Sequence, residues 1–173
     1  MGNYLLKIRK STPQFPVLER IAKLPFCEYA DSVSGEIDGI AKISASEEEL
    51  QKLIDEFDIN VRDVEKIKRE YQFKVKKGNV PFWINLRVKS SHLPQAENFI
   101  RKHSRIIRNA YITTRSSIYI RGEASSVEEL DEFWKSLYEE LGNGINQRSS
   151  ARTYIAFSRF KGLRRLSHVV NFF

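Results

Sequence analysis

FPVLERIAK, Phe15 to Lys23, reads as the opening of an amphipathic helix, and a near copy, LPQAENFIR from Leu93 to Arg101, comes later in the chain. Pro16 answers to Pro94, Glu19 to Glu97, Ile21 to Phe99 and Lys23 to Arg101, all at a spacing of 78 residues. Arg9 matches Arg87 at that spacing, whereas Ile40 matches Ile120 at a spacing of 80. Ser46, Glu48, Glu49 and Leu50 match Ser126, Glu128, Glu129 and Leu130 at 80 as well, so a length change in one turn reconciles the two blocks. A helix entry and a capping box that recur together are what a duplicated structural unit leaves in a sequence.

The segments around these anchors fall into one order, repeated. NYLLKIRK alternates Tyr4, Leu6 and Ile8 against Lys7 and Arg9, a half-buried strand. The helix with Val17, Leu18 and Ile21 follows, then two strands, FCEYADSV and GEIDGIAKIS, around Ser34-Gly35. Ser46 and Glu49 have capping-box spacing ahead of Leu50, Leu53, Ile54 and Phe57. KIKREYQFKVKKG then alternates through Ile67, Tyr71, Phe73 and Val75. The series starts again with FWINLRVK, LPQAENFIRKH, IIRNAYITT, SIYIRGE, SVEELDEFWKSLYEELG and ARTYIAF. Gly142 is the expected C-cap of the last helix.

This order predicts an α+β chain of tandem ferredoxin-like repeats, each a split βαβ or α/β plait. Each repeat would be a four-stranded antiparallel sheet with two helices on one face, leaving the second face over. The expected boundaries are 1–78 and 79–158, with a basic amphipathic tail at 159–173.

Composition narrows the function less than the fold. The net charge of +7 favours an anionic partner without identifying one. Cys27 is the single cysteine, so neither a disulfide nor a paired Cys metal motif is available, and its apolar context predicts a buried thiol. With no signal-like or membrane-spanning run, the expected location is the cytoplasm. His92, His103 and His168 lack metal-ligand spacing, and no nucleotide, zinc-protease or nucleophile-elbow motif occurs. The expectation is therefore no catalytic residue, no metal and no cofactor, with a composite site between repeats left open.

Alternation assigns the second face of the second repeat. If Phe82, Ile84, Leu86 and Val88 lie under the helices, Trp83, Asn85, Arg87 and Lys89 point the other way. Ile118 and Ile120 go in, leaving Ser117, Tyr119 and Arg121 out, and Tyr111 and Tyr154 join them. Rings interleaved with arginines on an open sheet suit single-stranded RNA, bases stacking on rings and guanidinium groups taking phosphates. FWINL resembles the aromatic, Asn and Leu of the first-strand motif of RNA-recognition-motif proteins, although Trp83 and not Phe82 has the outward parity. The third-strand motif of that family is absent from SSIYIRGEA, so the resemblance is one of plan.

The tail adds Arg159, Lys161, Arg164 and Arg165, while Leu163, Leu166 and Val170 have helical spacing. RNA is thus the favoured ligand, held by the open sheet and the tail. The alternative is a regulatory or scaffold protein: an ACT-like small-molecule sensor, or a module whose rings pack against a protein partner or a second copy.

Overall fold

The computed structural model describes residues 1–9, 15–145 and 151–161. Eight strands and four α-helices follow in order: β1 Gly2–Arg9, α1 Phe15–Ala22, β2 Cys27–Val33, β3 Ile37–Ala45, α2 Glu47–Phe57, β4 Val64–Gln72, β5 Val80–Arg87, α3 Leu93–Lys102, β6 Ile107–Thr113, β7 Ser117–Ala124, α4 Val127–Leu141 and β8 Arg152–Lys161. The fold is α+β and its strand pairs are antiparallel. The chain divides into two compact units, one of Met1–Ile67 with Ala156–Phe173 and one of Lys68–Ile155. Among the described residues, no helix is long and apolar enough to cross a membrane.

In the first unit the strands lie in the order β4-β1-β3-β2-β8. Leu6, Ile8, Ala41 and Ile43 bury one face of this sheet with Leu18 and Ile21 of α1 and Leu53 of α2. Alternation and the 3.6-residue helix period make these faces meet, and each buried Leu or Ile stabilises the unit by about 1.5–3 kcal/mol. Helix α2 begins as its sequence predicts. Ser46 Oγ accepts from the Glu49 amide at 3.2 Å and Glu49 Oε1 accepts from the Ser46 amide at 2.9 Å. Hydrogen bonds from the Ser46 amide, first, and the Ser46 hydroxyl hold the Glu49 carboxyl below its ordinary pKa. At the other end Asp58 takes a left-handed conformation, φ 51°, and its amide donates to Ile54 O.

In the second unit the order is β8-β5-β7-β6-β4. Phe82, Ile84, Leu86, Ile118 and Ile120 pack with Phe99 and Ile100 of α3 and Leu130, Phe133 and Leu137 of α4. Pro94 stands in the first turn of α3, where its missing N–H is harmless. Ser126 caps α4 by accepting from the Glu129 amide at 3.1 Å, but the Glu129 carboxylate takes the Ser125 amide and hydroxyl in place of the Ser126 amide.

Several expectations need correction. Each unit's ladder has five strand segments rather than four, because β2 pairs with β8 and β6 neighbours β4. Strand β4 starts at Val64 and stops at Gln72, so the alternation beyond it, through Val75, is not strand. Gly142 ends α4 in a right-handed conformation, φ −51°, and enters a 3₁₀ turn instead of a left-handed cap. Strand β8 runs on to Lys161, four residues past the expected ARTYIAF, and claims Arg159 and Lys161 from the expected tail. The rest of the tail, with Arg164 and Arg165, lies outside the described residues.

Candidate functional site

The second face of the second unit's sheet is assembled by register. Across β8, β5, β7 and β6, one row runs Tyr154, Trp83, Arg121, Asn109. The next row runs Arg152, Asn85, Tyr119, Tyr111. A β-bulge between Ile107 and Asn109 keeps Asn109 and Tyr111 on this face. Alternation had therefore placed Trp83, Tyr111, Tyr119, Arg121 and Tyr154 on the correct side of the sheet.

The face is not open. Trp83 and Tyr111 are 0% exposed, Tyr119 1%, Tyr154 3% and Arg121 7%. Parity in a strand says which side a residue takes; it does not say whether water reaches that side. Trp83 stacks on Tyr111 with centroids 6.3 Å apart and meets the Tyr119 edge at 6.5 Å. Such pairs contribute about 0.5–1.5 kcal/mol each beyond burial. Arg87 and Lys89 are exposed, at the end of β5 and just beyond it, and do not join the buried cluster. For Arg159 and Lys161 the backbone is opposite Asp31 and Tyr29 of β2, in the first unit.

What distinguishes this interior is its polarity. Arg121 Nη1 donates to Asn109 Oδ1 at 3.1 Å. Thr113, Ser117 and Glu123 are buried on the same strands, and Arg108 Nη2 donates to Glu123 at 3.3 Å. Asn85, only 7% exposed, holds its Oδ1 buried with no hydrogen-bond partner among the described residues. A buried acceptor left so costs about 1–3 kcal/mol, which packing alone gives no reason to bear. Sequence reasoning found the outward parity of Asn85 but not its role, since an unpartnered atom is visible only once every neighbour is placed.

Among the described residues, no group of three or more His, Cys, Asp or Glu could hold a metal ion. His103 lies at the end of α3 between the rings of Phe99, at 4.3 Å, and Phe133, at 5.4 Å, with Nε2 buried and unpartnered. Its pKa is lowered, first by burial, then by Lys102, while Glu140 opposes them. Burial, helped by Glu28, pushes the Cys27 thiol up to about 12, which removes it as a nucleophile at neutral pH.

No family model matches the chain, and no curated protein does. Solved structures with a similar fold are found. The siroheme decarboxylase NirDL superposes with a TM-score of 0.66 at 6% identity, over 98% of this chain and 78% of that one. The same enzyme in complex with an iron-uroporphyrin III analogue gives 0.66 at 8% identity, with the same coverage. A monooxygenase-like protein from Listeria innocua gives 0.53 at 8%, covering 90% of this chain and 94% of that one. A ferredoxin-fold protein from Listeria monocytogenes related to antibiotic biosynthesis monooxygenases gives 0.51 at 7%, covering 90% and 95%. At these identities the likeness is one of fold. It corrects the RNA expectation: the structures it resembles are a siroheme decarboxylase and a monooxygenase-like protein, and rings held in the interior are out of reach of a polymer such as RNA, which cannot be enclosed as a small molecule can. Buried rings likewise offer no ring surface on this face for a protein partner to pack on.

Proposed function

We propose that this chain is a small-molecule-binding protein, with its site on the second face of the sheet in the second unit and a planar tetrapyrrole as the ligand class. The observation that carries the reading is Asn85 Oδ1, an unpartnered acceptor held beside Trp83, Tyr119 and Arg121. The rings match the conjugated plane of a tetrapyrrole, the guanidinium matches its peripheral carboxylates, and the amide accepts a ligand donor. The siroheme decarboxylase complex supports the ligand class by likeness of fold.

The same reading takes the architecture as two ferredoxin-like repeats, 1–78 and 79–158, followed by a basic segment, 159–173, whose first residues continue β8, in a cytoplasmic protein. The ladders support the duplication in three places. Leu5 pairs with Lys42 as Trp83 pairs with Arg121. Tyr29 pairs with Lys42 as Asn109 pairs with Arg121, each just after a β-bulge. Leu5 pairs with Glu65 as Trp83 pairs with Tyr154.

The test is an absorbance titration of the full chain with haemin. Saturable binding with a shifted, sharpened Soret band is the expected result. A linear rise indistinguishable from haemin added to buffer overturns the reading.

A further inference from the structure

We infer that only one of the two equivalent sheet faces binds ligand: the second unit carries the site, and the first carries a filled counterpart centred on Lys42. The inference rests on the reading of the second unit given above. By register, Lys42 occupies in the first unit the place of Arg121 in the second. Both are basic and both are buried. Around them the chemistry diverges. Leu5 stands for Trp83 and Ile40 for Tyr119, so the flat aromatic surface is replaced by aliphatic side chains. Asp31 stands for Tyr111, bringing a buried carboxylate to the face that holds Lys42.

Arg121 donates to the Asn109 amide oxygen, and the cation of the first unit has a carboxylate as its partner. Lys42 Nζ donates to Glu28 Oε2 at 2.8 Å, with the lysine side chain 4% exposed. A buried ammonium needs such a partner to stay charged, and one held by its own carboxylate offers a ligand anion little. Among the described residues, the buried side-chain atoms without a partner are Asn85 Oδ1, His103 Nε2 and Arg108 Nε, all in the second unit. Among the described residues the first face has no such orphaned atom, and the second leaves an acceptor for something else.

Haemin titrations of the wild-type chain, Lys42→Met and Arg121→Met, followed by absorbance with the fold checked by circular dichroism, test this. One equivalent bound per wild-type chain is expected, with affinity within about twofold in Lys42→Met and weaker by about tenfold or more in Arg121→Met. Two equivalents per wild-type chain, a count that needs no variant to fold, overturn the inference and leave the second-unit site standing. A tenfold loss in folded Lys42→Met does the same. Absence of haemin binding by the wild type overturns both.

Discussion

At the scale of single residues, Asn85 is where the proposed site departs from a merely packed face. Its Oδ1 is buried without a partner, so the folded state bears a desolvation cost that an apolar side chain of similar volume would not. Asn85→Leu is therefore expected to raise the melting temperature, by the equivalent of about 1–2 kcal/mol, while weakening haemin binding. Thermal melts and the absorbance titration read the two effects. A lowered melting temperature would make Asn85 a structural residue. His103 gives a second expectation. Its folded pKa lies below the ordinary 6.5, so the unfolded chain takes up the proton first as pH falls. Stability is then full above 6.5 and declines as the pH drops from there toward the folded value. Melts of wild type and His103→Phe between pH 7.5 and 5 should show a smaller decline in the variant. Equal declines would mean that the ring is not protected by Phe99 and Phe133.

At the scale of elements, the helices were the most legible part of the sequence, since caps and periodicity are local. The two serine caps differ in a way their matched spacing concealed. Ser46 is in a full reciprocal box, whereas the Glu129 carboxylate bonds Ser125 rather than Ser126. Ser46→Ala should cost about 1 kcal/mol and Ser126→Ala no more than that, measured by denaturant unfolding. The apolar face of α2 is the one that periodicity gave: Leu53, 2% exposed, is its buried residue, and Leu50, matched to Leu130 in sequence, is half-buried and packs against the same core. Leu53→Ala should lose about 2–4 kcal/mol and Leu50→Ala clearly less; the reverse order would refute the helix orientation. Strand registers were illegible where bulges intervene. Ile40 was matched to Ile120, but Ile120 packs under the helices, whereas Ile40 pairs with Lys7 and Asp31 on the second face. A one-residue slip reverses every side chain of a strand, and no local signal announced it.

At the scale of the whole molecule, element order was legible and the fate of the second face was not. Local pattern and turn chemistry repeat along the chain, so the α+β class and the antiparallel pairing could be read from them. Whether a face meets water depends on parts of the chain far away in sequence. That is why aromatic and arginine residues that read as an RNA surface turn out to be interior. The net charge of +7 drew the reading toward nucleic acid, but the exposed Lys66, Lys68, Lys74 and Lys76 that contribute to it are away from the buried cluster. The central claim is that a tetrapyrrole contacts the Asn85, Trp83 and Arg121 face. The most direct measurement is a ¹⁵N chemical-shift titration with metal-free uroporphyrin III, which is diamagnetic and does not broaden the signals. The Asn85 side-chain amide, assigned by its loss in Asn85→Leu, and the Trp83 indole N–H should shift together and saturate, with the Trp134 indole little changed. Saturating shifts that spare Asn85 and Trp83, or no shifts at all, would contradict the account.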